Sequence, residues 1–287
     1  IVQTRRARGY PRVGLKQLFR RWSARGRHSR IRIGDYDLDL DLRWKHEGAY
    51  LKWADKQRLS GPIAFDTLAI EHFLKPGDVV LDAGANIGFT ALYFLKCGAA
   101  HVHAFEPDPR NFQRLQRLQT GGKLTAYPEA LGSETGELEF VMSRAHNQGS
   151  TLDPRMLEKF PAVFAGGERI TVAVRELSSR LPGVHFDFMK IDVEGAEAAL
   201  LQGARALLES DPPRVILIEC YEEMFDEVHD FLQPLYTHHC RLVFHKPSQA
   251  LLAAAMAVDS QDKDYFCNPP TYLYCSEPID LAVFPGN

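Results

Sequence analysis

The chain has 287 residues, of which 45% are hydrophobic and 25% are charged, values typical of a soluble globular protein with one large domain or a domain with an extension. Its net charge is −3, and the charged residues are unevenly distributed. Residues 1–30 hold ten Arg or Lys and no Asp or Glu, whereas the remainder holds 24 basic and 37 acidic residues. The longest apolar run, 250–258, is too short to span a bilayer, and five cysteines without a C-x-x-C pair argue against a disulfide framework or a zinc site and favour a reducing compartment.

The first 60 residues carry two patterns. From Val13 to Trp22 apolar side chains recur at helical spacing, which predicts a short amphipathic helix whose other faces are basic. Residues 30–44 alternate apolar and polar side chains, which predicts a β-hairpin with a turn at Gly34-Asp35. The basic helix could lie on an anionic membrane or pack against the body or a second subunit, and its narrow apolar face favours packing.

From Phe65 onward short buried strands alternate with helices, which predicts an α/β fold with a mostly parallel central sheet covered by helices on both faces. The predicted strands include DVVLDAG, HVHAFEP, KLTAYPEALG, FDFMKIDV, RVILIEC, CRLVFHK and IDLAVF, and an inserted β-pair is predicted at ELEFVMS and RITVAVREL. A single helix is predicted at EGAEAALLQGARALLES, and NPPTY is read as a turn.

A glycine-containing loop follows the first of these strands. The loop Asp82–Gly88, DAGANIG, lies at a strand carboxyl end, where ligands bind in open α/β sheets. We expect Gly84 to let the backbone approach the ligand and Gly88 to let the next helix pack on the strand. Glu106 ends the following strand, 22 residues after Gly84, where a carboxylate can accept both ribose hydroxyls of a nucleoside.

The type of ligand follows from what the loop lacks. A phosphate-binding loop would have Lys after its last glycine, and no Lys follows Gly88. A dinucleotide loop would read G-x-G-x-x-G, whereas this one reads G-x-x-x-G with Asp82 before it. An acid beside the loop suits a cationic ligand, so S-adenosylmethionine (SAM), with its sulfonium and ammonium, is favoured over NAD.

Four segments resemble FkbM-type SAM-dependent methyltransferases: VVLDAGANIGFTALYFL, AFEPDPRNFQRL, ALGSETGELEF and, most specifically, MKIDVEGAEAALLQGA. The resemblance covers about residues 65–220 of the chain. It implies a class I, Rossmann-like methyltransferase fold that transfers a methyl group to a hydroxyl of a sugar, a glycan or glycolipid, or a polyketide-type product. Residues 1–60 are then a basic helix-and-hairpin extension, and residues 61–287 the SAM-dependent methyltransferase domain.

The resemblance also implies site residues. We expect cofactor contacts from Asp82, Gly84, Ala85, Asn86, Gly88, Glu106, Pro107, Glu129, Ala130 and Asp192. Within this set, Asp82–Gly88 matches the SAM loop, Glu106 the ribose-binding acid, Glu129 and Ala130 the adenine contact, and Asp192 the family's DVEGAE element.

Catalysis needs a group that takes the proton of the acceptor hydroxyl as the new bond forms. Asp192 and Glu194 flank a strand-to-helix junction and are the first candidates, although they could merely cap the following helix. His245, after the sixth predicted strand, is a further candidate base.

A divalent metal at Asp192 and Glu219 is open but not favoured, since the next residue, Cys220, is a poor magnesium ligand. The expected partner is a small-molecule or glycan hydroxyl acceptor rather than nucleic acid, with a homodimer and a peripheral membrane contact through the basic arm left open. The expected location is cytoplasmic, with association at the inner membrane surface also open. The alternatives are an NAD-dependent Rossmann oxidoreductase and a catalytically inactive nucleoside-binding module.

Overall fold

The computed structural model describes residues 28–56, 61–144, 147–257 and 265–282. The predicted helix at 13–22 lies outside them, and so does the choice between a membrane-bound and a packed arm. No helix in the described ranges has the length and hydropathy of a membrane-spanning segment. The proposed boundary at residue 60 also falls outside the described residues, so the division into extension and domain stays a prediction.

The strands, in chain order, are β1 (His28–Ile33), β2 (Tyr36–Asp41), β3 (Val79–Ala83), β4 (His101–Phe105), β5 (Leu124–Tyr127), β6 (Ala130–Leu131), β7 (Gly136–Met142), β8 (Glu168–Arg175), β9 (Phe188–Ile191), β10 (Val215–Glu219), β11 (His238–His245), β12 (Ala250–Ala254) and β13 (Tyr265–Cys275). The helices are α1 (Lys45–Lys56), α2 (Pro62–Phe73), α3 (Phe89–Lys96), α4 (Pro109–Leu115), α5 (Pro154–Lys159), α6 (Pro161–Phe164), α7 (Leu177–Arg180), α8 (Glu197–Gly203), α9 (Arg205–Ser210) and α10 (Glu222–Leu232). Strand and helix alternate through the central part of the chain, as the sequence predicted.

The central sheet has eight strands in the order β12-β11-β13-β10-β9-β3-β4-β5. The five strands from β10 to β5 are parallel, and β13 runs antiparallel between β10 and β11. The chain places β4 and β5 on one side of β3 and then returns to place β9 on the other. The strand order therefore reverses at β3 and β9, which is where such sheets form a ligand-binding crevice.

The last strands differ from the prediction. NPPTY is not a turn but part of β13, in which Thr271 pairs with Glu219 and Tyr272 with Ile218. Proline is tolerated in this internal strand because the pairing with β11 shifts register between Leu242 and Phe244, beside this segment, while Pro270 O still accepts the N–H of Cys220 at 3.0 Å. In the IDLAVF segment, residues 279–282 contain no strand.

The inserted β-pair is confirmed and gains a short third strand, since β6, β8 and β7 form a separate sheet in that order. The predicted long helix is divided into α8 and α9 at Ala204. Gly203 ends α8 where a Cβ would lie 2.0 Å from the carbonyl oxygen of Gly132, so the helix packs almost directly on the loop that follows β6.

Both faces of the central sheet are buried. Along β3, Val80 belongs to the core formed with α2, α3 and the hairpin, whereas Leu81 belongs to the core formed with α8, α9 and α10. This alternation follows from the two-residue period of a strand. Two apolar layers therefore enclose the sheet, as the continuous hydrophobic runs of its strands predicted.

The predicted hairpin is confirmed, with β1 and β2 antiparallel around Gly34, which has φ 59°. We call residues 28–56, which comprise this hairpin and α1, the N-terminal unit. Its main polar attachment is the fully buried Glu47, whose carboxylate accepts two hydrogen bonds of 2.7 Å from the guanidinium of Arg114 in α4. The backbone N–H of Asp41 also donates to Glu47, at 2.6 Å, so the carboxylate joins both parts of the unit to the main domain.

Arg114→Ala should lower the free energy of unfolding by about 3–5 kcal/mol, because it leaves the buried Glu47 carboxylate without its cation. Arg30→Ala is the matched control, since Arg30 and Asp39 form a pair whose side chains are 62% and 70% exposed. Such an exposed pair should contribute little to stability, because solvent screens it. Urea denaturation of both variants measures the difference, and equal losses would show that Glu47 does not anchor the unit.

Candidate active site

A cavity of about 700 Å³ lies at the carboxyl ends of β3, β4, β9 and β10. The N-terminal unit and α2 form one wall of it, and the β6–β8 sheet and its loops form another. Its lining includes Tyr50, Asp66, Gly84, Asn86, Glu106, Asn111, Asn147, Asp192, Glu194, Glu219 and Tyr221. The cavity thus occupies the crevice that the strand order predicts.

Gly84 brings the two sides of this crevice into direct contact. Its φ is +84°, and a Cβ would lie 1.9 Å from the carbonyl oxygen of Asp192. From the sequence we expected a glycine here so that the backbone could approach the ligand. In the structure, the atoms that leave no room for a side chain belong to the backbone after β9. A Cβ on Gly88 would likewise lie 2.9 Å from the Leu115 side chain and 2.4 Å from that of Leu118. This glycine therefore makes room for the two leucines, whereas the sequence predicted that it would let the next helix pack on the strand.

Glu106 occupies the cavity side of the β4 end and is 6% exposed. Its two carboxylate oxygens accept hydrogen bonds of 2.8 Å, one from the backbone N–H of Asn86 and one from that of Asp108. Burial raises the pKa of Glu106 to about 8, although these hydrogen bonds and the Asn111 side chain act in the opposite direction. A carboxylate has about four lone-pair positions, so acceptor capacity remains for a ligand.

The other end of the cavity is acidic around one buried cation. Lys190 is 4% exposed and donates a 3.1 Å hydrogen bond to Asp192. Burial alone would lower the pKa of Lys190, but Asp192, Asp66 and Asp82 outweigh burial and raise it well above its usual value. Lys190 therefore stays charged and compensates the carboxylates that surround it.

Three carboxylic acids that line this end of the cavity have raised pKa values. Burial is the main cause in each case: it raises the pKa of Asp66 to about 7, and it raises those of Glu194 and Glu219 well above the usual range, with Asp192 adding to each shift. The shifts favour the protonated form of Glu194 and Glu219, in which a carboxyl group can donate a hydrogen bond.

Glu194 and Asp192 do not cap a helix, so the structural alternative considered for them is wrong. Helix α8 begins only at Glu197, and its N-cap, Ala196, makes no side-chain cap. Instead the buried Glu197 carboxylate accepts the backbone N–H groups of Val193 and Gly195, at 3.2 and 3.0 Å. Glu194 has φ 54° and its carboxyl accepts a 3.3 Å hydrogen bond from Tyr221. The turn thus presents both acids to the cavity.

The structure divides the predicted site residues into two groups. Those that line the cavity are Gly84, Asn86, Glu106, Pro107, Glu129, Ala130, Asp192 and Glu194. Asp82, Ala85 and Gly88 support the loop without lining it; the Asp82 carboxylate, for example, accepts a 2.7 Å hydrogen bond from Thr90. His245 does not line the cavity either, and its ring nitrogen is 2.6 Å from the Ser248 hydroxyl. The geometry therefore favours Asp192 and Glu194 over His245.

Several cavity residues were not predicted. Asp66 lines the cavity from α2 and belongs to no motif, whereas Lys190 lies behind the lining and belongs to the MKIDVEGAEAALLQGA segment without having been expected as a site residue. Each is a charged residue at an otherwise apolar position of α2 or β9. Tyr50, in α1, also lines the cavity, and its ring stacks on Phe89 with centroids 4.2 Å apart. In the described part of the chain no group of three or more His, Cys, Asp or Glu side chains could hold a metal ion, so the geometry does not support a metal at Asp192 and Glu219.

Comparison with known proteins identifies the family. Residues 82–243 match the model of the methyltransferase FkbM domain. The chain is 30% identical over 214 residues to the 31-O-demethyl-FK506 methyltransferase FkbM of Streptomyces tacrolimicus, covering 63% of this chain and 78% of that protein. It is 29% identical over 147 residues to the 2-O-methyltransferase NoeI of Sinorhizobium fredii, covering 47% of this chain and 60% of that protein.

Among solved structures, a methyltransferase FkbM from Methylobacillus flagellatus aligns with 19% identity and a TM-score of 0.47, covering 73% of this chain and 48% of that one. The strand order, the crevice and the sequence matches define a Rossmann-like methyltransferase. The chain belongs to the FkbM methyltransferase family.

Gly84→Ala should destabilise the protein and abolish ligand binding, because the added methyl would displace the Asp192 peptide at the cavity wall. Gly77→Ala is the matched control, since Gly77 has φ +97° with no atom within 4 Å of a built Cβ. The control should show only the cost of backbone strain, about 1–3 kcal/mol. Thermal unfolding of both variants tests this, and an equal loss of stability would contradict the steric role of Gly84.

Proposed function

We propose that this methyltransferase uses SAM and methylates a hydroxyl group of a neutral small molecule, such as a sugar, a glycan or a polyketide-type alcohol. The observation that carries the proposal is one cavity with the buried acid Glu106, expected to bind a nucleoside, at one end and the acids Asp192 and Glu194 at the other. A volume of about 700 Å³ lies within the range of ligand-binding pockets.

The nucleoside end fits a ribose and an adenine. Glu106 would accept hydrogen bonds from the ribose hydroxyls, since its oxygens are held in place by two backbone N–H groups. Glu129 and Ala130 line the cavity next to it, and the Glu129 carboxylate is oriented by a 2.8 Å hydrogen bond from Arg180. These residues would hold the adenine, as the family resemblance implies.

The acidic end fits the acceptor. Bound SAM would supply a methyl group on a positively charged sulfur, a centre that carboxylates stabilise. Asp192, held by Lys190, would take the proton of the acceptor hydroxyl, while protonated Glu194, oriented by Tyr221, would donate a hydrogen bond. Holding the hydroxyl in line with the methyl group would supply much of the rate acceleration.

The charge of the cavity favours a neutral acceptor. Asp66, Asp192, Glu194 and Glu219 line the acidic end, and Lys190 is the buried cation beside them. Each of these acids that is ionised would repel an anionic acceptor such as a phosphate or nucleic acid. The names of the FkbM and NoeI relatives, both of which describe O-methyl transfer, support an alcohol acceptor, whereas the family match disfavours an NAD-dependent oxidoreductase.

Binding of S-adenosylhomocysteine (SAH) should depend on Glu106. Glu106→Ala should weaken binding by about 1.5–3 kcal/mol at pH 8.5, the scale of a hydrogen bond to a charged group. Because the pKa of Glu106 is raised to about 8, its proton must leave before both oxygens can accept, so wild-type affinity should rise as pH increases from 7 to 9. Isothermal titration calorimetry across this range measures both effects.

Glu106→Gln serves as the control for the pH dependence, since it cannot titrate and its affinity should change less than that of the wild type. Glu209→Gln, which removes an exposed carboxylate in α9, should behave as the wild type. Equal affinity of the wild type and Glu106→Ala would remove the basis for the nucleoside assignment.

Asp192→Asn should lower turnover about 100-fold or more with the fold retained, because an amide cannot accept the proton. Glu194→Gln should lower it less, since glutamine preserves the hydrogen-bond donor that a protonated glutamate provides. Transfer of label from methyl-labelled SAM to a panel of neutral sugars and polyketide alcohols measures the rates.

The same assay in EDTA tests metal dependence, and turnover should persist. A loss that magnesium restores would reinstate a metal at Asp192 and Glu219. Normal turnover of Asp192→Asn would exclude Asp192 as the base.

A further inference from the structure

Asn147 lies where the N-terminal unit, α4 and the loop after β3 meet. It is 3% exposed and lines the cavity. Its backbone oxygen accepts hydrogen bonds from the side-chain amides of Asn86, at 3.0 Å, and Asn111, at 2.8 Å. Asn86 also donates its backbone N–H to Glu106. A single residue, Asn86, therefore connects Asn147 to the acid at the proposed nucleoside end.

The orientation of the Asn147 side chain follows from its neighbours. Its Nδ2 donates to Glu47 Oε1, at 3.3 Å, and to Asn111 Oδ1, at 3.1 Å. Both neighbouring atoms are acceptors, because Glu47 is ion-paired with Arg114 and the Asn111 amide donates to a carbonyl. A flipped amide would place oxygen against oxygen on both sides.

The remaining atom, Asn147 Oδ1, is buried and has no hydrogen-bond partner in the described part of the chain. Leaving a buried amide oxygen without a donor is unfavourable, because the group has lost its hydrogen bonds to water. Such a group beside a ligand cavity indicates a donor that arrives with the ligand.

We propose that Asn147 is a cofactor-binding residue whose Oδ1 accepts a hydrogen bond from the bound cofactor, and that Glu47 is a positioning residue that holds Asn147 in this orientation. The inference rests on the proposed function, since the donor is a ribose hydroxyl or the ammonium of a SAM-type ligand. The contacts of Asn147 with Asn86 and Asn111, both neighbours of Glu106, favour the ribose.

One consequence is that the N-terminal unit is a functional part of the cofactor site. The family model begins at residue 82, whereas Glu47 lies 35 residues before it. Glu47 therefore links a segment outside the matched domain to cofactor affinity through Asn147.

Calorimetric titration of the full chain with SAH tests the contact. Asn147→Ala should weaken binding tenfold or more, while Tyr236→Phe should not change it. Tyr236 is the matched control, because its buried hydroxyl donates a 2.8 Å hydrogen bond to Pro213 O and does not line the cavity. If Asn147→Ala does not fold, Asn147→Ser, which retains a small polar side chain too short to reach the same atoms, should show the same loss.

Titration with 5′-methylthioadenosine, which lacks the amino-acid part, locates the donor. We expect the loss to persist with this ligand, which assigns the donor to the nucleoside; a loss seen with SAH alone assigns it to the ammonium. In both cases Asn147 contacts the cofactor.

A double-mutant cycle tests the role of Glu47. Glu47→Ala should weaken SAH binding in the wild-type background and have no further effect in Asn147→Ala, because its influence passes through Asn147. A wild-type chain that binds SAH, with Asn147→Ala and Asn147→Ser binding equally well, would overturn this inference and leave the proposed function intact. A wild-type chain that binds neither SAM nor SAH would overturn the proposed function itself.

Discussion

The close approach of Gly84 to the carbonyl of Asp192 determines the geometry of the whole site. Strands β3 and β9 are hydrogen-bonded neighbours, and their following loops diverge from a point at which no side chain fits. One loop carries Asn86, whose N–H donates to Glu106 at the end of β4, and the other carries Asp192 and Glu194. The end of the cavity at Glu106 and its acidic end therefore adjoin because the two backbones touch. The positive φ of Gly84 and the lack of a Cβ are both required, which leaves glycine as the residue that satisfies this position.

The charges at the acidic end depend on the same strands. Asp82 and Lys190 are paired positions on β3 and β9, so their side chains lie on one face of the sheet, facing the helices that bury it. A buried ammonium is stable only when carboxylates compensate it, and here Asp66, Asp82 and Asp192 do so. Burial raises the pKa of Asp66, Glu194 and Glu219, and Asp192 adds to each shift. The environment of the cavity thus changes the ionisation of neighbouring acids to different degrees.

Much of this could be predicted from the sequence, since local patterns determine it. The strand periodicity located the sheet, and the loop with Glu106 located the cavity. The errors concern tertiary contacts. NPPTY has turn composition but adopts an extended conformation, because β10 and β11 pair with it on both sides. Asp192 and Glu194 suggested helix capping, whereas the observed turn needs Glu197 to bind its backbone N–H groups. No spacing in the sequence indicates that Gly84 faces Asp192, 108 residues away.

The same limit explains why the N-terminal unit could be predicted as an element but not as part of the site. Alternation over residues 30–44 predicts the hairpin, yet nothing local in α1 distinguishes Glu47 from an exposed first-turn acid. Its role appears only when Arg114 and Asn147 are brought against it by the packing of α1 on the domain. A buried carboxylate in that position carries a large desolvation cost that the pair with Arg114 and the N–H of Asp41 must offset. The resulting contact is specific in direction, since Asp41, Arg114 and Asn147 all donate to Glu47, and it is this directionality that orients the Asn147 amide toward the cavity.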